Sequence, residues 1–296
     1  MSNFSDQDKK KIFFYANKDV EHYDIVEKLT QPCIDLIHDT MVDLIEYSLI
    51  WRQQQELKRS LYILDIGSGT GAEALRLLNR FNNIHIVAID FSPEMNKEFQ
   101  RKFVEKFPNK DFDAKVTLLE EDFFSNNCAP ERLFQHLPNH LVPRAFDAVI
   151  AGFFLHHYPT KKKSEFYHLI YNILCPHGVL VHGDLFNFQS AALSYYAHDF
   201  GECWIRKQLT NPDENLRSNY ETLGSNANRL RKEWIDHWNN THLYNPLNIT
   251  LINNLDQRNQ LKRVEPSHLE LIRDAGFSQS DCPFRLWEAG IIWAQK

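Results

Sequence analysis

The most constraining feature of this sequence is a glycine-rich turn between a predicted strand and a predicted helix. The apolar run at 61–66 predicts a buried strand, and Gly67, Gly69 and Gly71 follow it as GxGxG. Apolar residues then return at helical spacing over 72–81. A strand that enters a helix through such a turn brings the backbone close to a ligand and offers it the unpaired N–H groups of the helix N-terminus. The sequence therefore predicts an α/β domain with a ligand at this turn.

The rest of the chain repeats the alternation of strand and helix. Further strands are predicted at 84–89, 115–119, 146–151 and 179–182, and further helices at 94–107 and 165–174. Strands that are apolar throughout are covered on both faces, so this order predicts a mostly parallel sheet between two helical layers. Near the end of the chain, a helix at 266–275 is closed by Gly276, and strands at 278–286 and 290–294 follow.

Two regions outside the strand pattern flank or interrupt the predicted core. Apolar residues at helical spacing between Ile34 and Leu49 predict a helical N-terminus, and the strand pattern disappears again after the fifth strand. We therefore predict a single domain in four segments. They are an N-terminal helical lid at 1–58, a ligand-binding core at 59–185, a helical substrate insertion at 186–262 and a closing helix with two strands at 263–296.

The composition excludes several classes of protein. A hydrophobic fraction of 43% supports a packed core, and a net charge of -6 lacks the basic footprint of a duplex nucleic-acid binder. No run of about 18 apolar residues predicts a membrane span. Five scattered cysteines without a CxxC pair fit reduced thiols better than disulfides or a structural zinc site. We therefore expect a cytoplasmic protein with no metal, no membrane contact and no nucleic-acid partner; a homodimer is left open.

An acidic residue ends the predicted second strand. Asp90 lies at the distance from the glycine turn at which a carboxylate accepts hydrogen bonds from the two hydroxyls of a ribose. The alternative role for Asp90 is to cap the helix that begins near Pro93. Ser92 suits that position, and proline suits the first helical residue. We therefore predict that Asp90 binds the ligand.

Together these motifs resemble the class I S-adenosylmethionine (SAM)-dependent methyltransferases. The resemblance covers residues 60–184 and 266–296, with four motifs in the order found in that family. It implies an α/β fold with a seven-stranded, Rossmann-like, mostly parallel sheet that ends in an antiparallel hairpin. It also implies an N-terminal helical cap, a helical insertion after strand five, and SAM as the cofactor.

The resemblance further implies which residues bind SAM. The turn and Asp65 would meet the methionine end, Asp90 the ribose, and Asp122 the adenine amino group. Phe91 and Met95 would flank the adenine, and the end of the fourth strand would lie beneath the sulfonium. The predicted cofactor-binding set is Tyr23, Asp65, Gly67, Ser68, Gly69, Gly71, Asp90, Phe91, Met95, Asp122, Phe123, Ala151 and Phe153.

Two other classes of protein share part of this pattern. A dinucleotide-dependent oxidoreductase would have the strand, the turn and the acid, but its turn reads GxGxxG, and the position of Asp122 and the final two strands favour SAM. A protein that uses the fold only for binding or as a scaffold would not need an intact turn and both acids.

Methyl transfer is an in-line displacement that demands alignment more than a catalytic group. A general base is needed only when the acceptor carries a proton at the working pH. His156, in the segment that follows the fourth strand, is the candidate base, and a packing role is the alternative. The same segment lacks the Asn/Asp-Pro-Pro-aromatic motif of methylases that modify exocyclic amines of DNA bases.

Large aromatic residues are the candidates for binding the acceptor, because they can form a cage around a cationic or planar group. They could equally form the packing face of a helical lid, and Tyr15 and Tyr23 could anchor the first helix. The residues do not choose between an amine and an aromatic hydroxyl. We predict transfer of a methyl group from SAM to an N or O atom of a small molecule. The predicted substrate residues are Tyr15, Tyr195, Tyr196, Trp204, Trp234 and Trp238.

A second resemblance leaves an alternative function open. The segment 275–280 and the insertion after strand five are similar to the carboxy-SAM synthase of tRNA wobble modification. That family holds a carboxylate with an arginine. Arg206 and Arg231 lie in the corresponding region, and the sequence does not assign either of them to that arginine.

Overall fold

The computed structural model describes residues 20–31, 33–53, 60–124, 146–186, 267–286 and 288–296, together with Leu133 and isolated residues between 196 and 229. Within these residues, seven strands form one sheet. The strands are β1 Leu61–Ile66, β2 Ile84–Asp90, β3 Val116–Glu120, β4 Phe146–Gly152, β5 Leu174–Leu185, β6 Gln279–Leu286 and β7 Ala289–Gln295.

The helices of the described residues lie before, between and after these strands. Single 3-10 turns occur at Val20–His22 and Leu155–His157. The α-helices are α1 Tyr23–Thr30, α2 Ile34–Gln53, α3 Ala72–Arg80, α4 Pro93–Lys106, α5 Thr160–Ile173 and α6 His268–Ala275.

The strand order is β3-β2-β1-β4-β5-β7-β6. β1 runs parallel to both β2 and β4, whereas β7 pairs antiparallel with β5 and β6. This arrangement confirms the predicted α/β sheet with its antiparallel closing pair. The direction of winding reverses between β1 and β4, and in open α/β sheets ligands bind outside the carboxyl ends of the strands at such a switch point.

Alternate residues of each strand point to opposite faces of the sheet, so the sheet has two apolar cores. On one face, Ile63 and Ile86 pack with residues of α2, α3 and α4, including Met41 and Phe99. On the other face, the residues next in sequence, such as Leu64, pack with α5 and α6. Both faces are covered, which explains why the central strands are apolar throughout.

The structure corrects the bounds of two elements. Helix α5 begins at Thr160 rather than 165, because its first turn carries lysines that hide the apolar periodicity. Strand β5 runs over twelve residues, Leu174–Leu185, rather than 179–182. It is longer because Leu174 pairs with Phe146 of β4 before an irregularity, and because β7 pairs with β5 as far as Leu185.

The predicted flanking segments are described in part. Residues 20–31 and 33–53 are largely helical, as the predicted N-terminal segment requires. The isolated residues between 196 and 229 have helical backbone, while most of the predicted insertion lies outside the described residues. The boundaries of the four segments stay predictions. Among the described residues, no helix combines the length and apolar character needed to cross a membrane.

Gly71 provides a test of how the turn is packed. Its φ is +83°, and a Cβ atom there would lie 2.2 Å from Cδ2 of the fully buried Phe99. We expect Gly71→Ala to lower the free energy of unfolding by about 2–5 kcal/mol, because backbone strain and overpacking add. Chemical denaturation of the ligand-free protein measures this loss.

Gly69→Ala is the matched control for this substitution. Gly69 also has a positive φ (+51°), but the nearest atom to its added Cβ would be 3.9 Å away. The expected loss is therefore only the strain of the left-handed backbone, about 1–2 kcal/mol. Equal losses for the two variants would contradict the packing argument.

Candidate functional site

Three glycines shape the turn that follows the carboxyl end of β1. Gly67, Gly69 and Gly71 have φ of +70°, +51° and +83°, a conformation that glycine adopts without steric cost. The N–H groups of Gly67 and Ser68 donate to the carbonyl of Ile89 at 2.9 and 3.1 Å. These hydrogen bonds join the turn to the end of β2 before the chain enters α3.

Two buried polar atoms beside this turn lack a hydrogen-bond partner among the described residues. They are Oδ2 of Asp65, whose residue is 1% exposed, and Oγ of Ser68, whose residue is 3% exposed. Burial first, and then the nearby carboxylates of Glu73 and Asp90, raise the pKa of Asp65 well above its ordinary value. An unpaired carboxyl oxygen under a glycine turn suits a ligand that brings a hydrogen-bond donor with positive charge.

Asp90 has backbone partners on both carboxylate oxygens. Oδ1 accepts the N–H of Ser92 at 2.8 Å, and Oδ2 accepts the N–H of Gly69 at 2.9 Å. Burial raises the pKa of Asp90 to about 6, opposed by these two hydrogen bonds. The sequence interpretation that left this carboxylate free is therefore incomplete, although each oxygen keeps capacity for a further donor. Ser92 caps α4 as predicted, by accepting the N–H of Met95.

The residues predicted around the adenine differ in how far their side chains are exposed. Phe91 is 39% exposed, whereas the side chains of Met95 and Phe123 are enclosed by protein. Phe123 packs edge-on against Phe154 in the core. Asp122 accepts the N–H of Phe124 at 3.0 Å, which shapes the loop after β3. Phe91 and Asp122 are thus the members of this group whose side chains are not enclosed, and their roles stay predictions.

The end of β4 lies beside the glycine turn. A Cβ atom on Gly67 would lie 2.9 Å from Cδ2 of Phe154, so the two segments touch. Phe153 has a φ of +48°, and its N–H donates to the carbonyl of Gly183 at 2.7 Å. Such a strained residue costs of order 1–3 kcal/mol and often marks a functional site. Ala151, two residues before Phe153, is fully buried opposite Ile66.

His156 follows on the 3-10 turn and is held by Asp184 at the end of β5. Its Nδ1 lies 2.5 Å from Oδ1 of Asp184, and its backbone N–H donates to Oδ2 at 2.9 Å. Burial would raise the pKa of the Asp184 carboxyl, but the charge and hydrogen bond of His156, followed by those of His182, hold it well below its ordinary value. The predicted candidate base therefore has an ionised acceptor fixed against its ring.

Helix α1 contacts the glycine turn from the N-terminal side. The hydroxyl of Thr70 donates to Oδ1 of Asp24 at 2.6 Å, and Lys102 of α4 pairs with the other oxygen. Tyr23 is the neighbouring residue on this helix, so the predicted lid segment lies against the turn. The part that Tyr23 plays stays a prediction.

Sequence reasoning missed a buried ion pair between α2 and α3. Nδ1 of His38 lies 2.7 Å from Oε1 of Glu73, and both residues are buried. Burial alone would lower the pKa of the His38 imidazole, but Glu73 and Glu27 raise it to about 10. In the sequence, His38 and Glu73 are each a polar residue on the apolar face of a predicted helix. That pattern does not indicate that the two helix faces pack against each other.

The predicted substrate residues are described only in part. Tyr15, Tyr195, Trp234 and Trp238 lie outside the described residues. Tyr196 is 59% exposed, and the ring of Trp204 lies 5.7 Å from Nζ of Lys207. The role of this group in binding the acceptor therefore stays a prediction.

The core of the chain is similar to known methyltransferases. Residues 64–180 match the model of a family described as a methyltransferase domain. No curated protein matches the chain. Among solved structures, the chain is similar to the DszA carbon methyltransferase, with 12% identity, a TM-score of 0.50, and coverage of 88% of this chain and 54% of that one.

Two further solved structures are similar to the chain at a slightly lower TM-score. The CurJ carbon methyltransferase has 15% identity and a TM-score of 0.49, with coverage of 99% of this chain and 71% of that one. The magnesium protoporphyrin IX methyltransferase of Synechocystis, solved with S-adenosylhomocysteine (SAH), has 15% identity and a TM-score of 0.49, with coverage of 99% and 100%. The chain spans about half the length of the DszA and SibL methyltransferase structures, 54% of each.

Residues 64–180 match a methyltransferase domain, and the strand order and the glycine turn agree with that match. SAM is the cofactor that such a domain implies for this chain. The unpaired oxygen of Asp65 beside the turn fits this cofactor, because SAM carries an ammonium group and a sulfonium.

The ion pair of His38 and Glu73 predicts a pH-dependent stability. With a folded pKa of about 10, His38 keeps its proton over a range in which the unfolded chain, with an ordinary pKa of about 6.5, has lost it. The resulting stabilisation is complete below about pH 6.5 and declines by about 1.4 kcal/mol per pH unit as the pH rises towards the folded pKa. The difference in unfolding free energy between wild type and His38→Gln should therefore narrow as the pH rises.

His168→Gln supplies the control for this titration, because His168 is exposed on α5. Denaturant unfolding of the three proteins at several pH values measures the differences. A gap between wild type and His38→Gln that stays constant with pH would show that the pair is not charged as described.

Proposed function

We propose that this enzyme transfers the methyl group of SAM to an N or O atom of a small-molecule acceptor, with His156 as the general base. The observation that carries the proposal is the hydrogen bond of 2.5 Å between the His156 ring and the buried Asp184. SAM supplies an electrophilic methyl group. The protein must then supply an aligned acceptor that has lost its proton.

The tautomer of His156 suits a base. Because Asp184 is ionised, Nδ1 of His156 is the nitrogen that carries the proton and donates it to the carboxylate. In the neutral ring, the lone pair therefore resides on Nε2. A carboxylate fixed behind an imidazole also stabilises the imidazolium that forms when the ring takes a proton.

A buried network fixes Asp184 in turn. Nε2 of His182 lies 3.0 Å from Oδ2 of Asp184, and Nδ1 of His182 lies 3.0 Å from the hydroxyl of Tyr167. That hydroxyl also lies 2.5 Å from Nδ1 of His268 on α6. The network joins β5, α5 and α6, so the carboxylate has little freedom to turn away from His156.

The position of His156 supports a role at the reacting end of the cofactor. It follows β4 by four residues, and Phe154, two residues before it, touches the glycine turn. Hydroxyl and ammonium groups both carry the proton that such a base removes. A small acceptor is supported by the net charge of -6 and by the absence of a basic footprint in the sequence.

Several finer features of the proposal rest on the sequence alone. The aromatic substrate residues, the cytoplasmic location and a homodimer stay predictions. The alternative of a carboxy-SAM synthase or another tRNA-modifying SAM enzyme depends on Arg206 and Arg231, which lie outside the described residues. No described contact favours it.

The test begins with labelled SAM and a panel of amines, phenols and carboxylates. With the acceptor found in this way, His156→Gln and Asp184→Asn should each lower kcat by about 10²–10⁴-fold, the usual contribution of a general base, while SAM affinity stays within about twofold of wild type.

Asp147→Asn is the matched control. Asp147 is a fully buried carboxylate near the N-terminal end of β4, whereas His156 follows the other end of that strand. It accepts the N–H of Tyr62 at 2.9 Å. The substitution Asp147→Asn should affect stability but not kcat. Unchanged turnover in His156→Gln would remove the proposed base. A labelled product methylated on carbon, or a carboxylate added to the cofactor, would contradict the proposed reaction.

A further inference from the structure

Glu73 is a buried carboxylate at the switch point of the sheet. It lies on the first turn of α3, is 5% exposed, and approaches the end of β4 so closely that a Cβ atom on Gly152 would lie 2.3 Å from its Oε1. Gly152 directly follows Ala151, which is paired with Ile66 of β1. The carboxylate therefore lies at the carboxyl ends of β1 and β4, where the cofactor of this class of enzyme binds.

The surroundings of Glu73 keep it charged and in place. His38 of α2 donates to Oε1 at 2.7 Å, and the other ring nitrogen of His38 lies 3.6 Å from Oε2 of Glu27. Burial raises the pKa of Glu73, but the charge and hydrogen bond of His38 outweigh this and lower it. Gly152 completes the arrangement, because any larger residue there would displace the carboxylate.

Carboxyl groups predominate among the buried polar residues at this place. Asp65, Glu73 and Asp90 are buried, and the cations whose charges act on Glu73 are His38 and Arg76. The charge of Glu73 is itself a cause of the raised pKa of Asp65. A buried carboxylate favours a ligand that brings positive charge.

We propose that Glu73, positioned by His38, recognises the positive charge of the SAM sulfonium and so favours SAM over its product SAH. The two molecules differ by one methyl group and one positive charge, because SAH is a neutral thioether at that sulfur. Gly152 contributes by leaving space for the carboxylate. This inference concerns the cofactor and does not depend on which acceptor the enzyme uses.

A purely structural role for the pair makes a different prediction. If His38 and Glu73 only join α2 to α3, their loss would weaken the binding of SAM and SAH alike. If Glu73 instead recognises the positive charge of the ligand, its loss should weaken only ligands that are positively charged at the sulfonium centre. Sinefungin belongs with SAM in this comparison, because it carries a protonated amine in place of the sulfonium methyl group.

The experiment measures the Kd of SAM, sinefungin and SAH by calorimetry on the full chain without an acceptor. Wild type should bind SAM more tightly than SAH. Glu73→Gln, which keeps the volume and a hydrogen-bond acceptor for His38, should weaken SAM and sinefungin about ten- to hundredfold and change SAH by no more than about threefold. Glu73→Asp retains the charge and should preserve the preference for SAM.

Glu98→Gln is the matched control, because Glu98 is a buried carboxylate on α4 whose ion pair with Arg101 at 2.8 Å lies on the same helix. Glu98→Gln should leave the ratio of the SAM and SAH affinities unchanged.

Equal weakening of SAM and SAH by Glu73→Gln would overturn the proposal. If Glu73→Gln does not fold, the wild-type measurement still decides, since SAH binding as tight as that of SAM would also overturn it. Neither result depends on turnover, so failure here is distinguishable from failure of the proposed base.

Discussion

The geometry of the site depends on the left-handed backbone of the turn between β1 and α3. Three residues with positive φ let the chain reverse within a few residues, so that the turn bonds to the end of β2 and Glu73 faces the end of β4. A β-carbon at Gly71 would collide with Phe99, and one at Gly67 would collide with Phe154. The same turn therefore fixes the packing of α4, the course of the chain after β4, and the position of the buried carboxylates.

Much of the fold follows from local patterns that the sequence displays. Apolar runs locate the central strands, and the capping residues Ser92 and Gly276 locate the ends of helices within one or two residues. The strand β5 was predicted too short, because the Pro176-His177-Gly178 segment reads as a break. Pairing with β4 on one side and β7 on the other overrides that local preference.

The candidate site was predictable only where its residues belong to a local motif. The three glycines and Asp90 are identified by their distance from strands, and His156 by its place after β4. The pairs that give these residues their chemistry join distant segments, His156 with Asp184 across 28 positions and His38 with Glu73 across 35. Nothing in the spacing of such pairs indicates contact. The strand order and the packing of α2 on α3 bring them together.

The proposed reaction moves positive charge from the cofactor, near Glu73, to His156, near Asp184. Before transfer, the positive charge lies on the cofactor, beside the buried carboxylate of Glu73. After transfer and removal of the acceptor proton, a positive charge resides on His156, where Asp184 and its histidine partners are arranged to stabilise it. The cofactor end has then lost its positive charge. If Glu73 recognises the sulfonium as proposed, SAH is bound less well there than SAM, and the charge movement that accompanies the reaction also favours exchange of the product for a new cofactor.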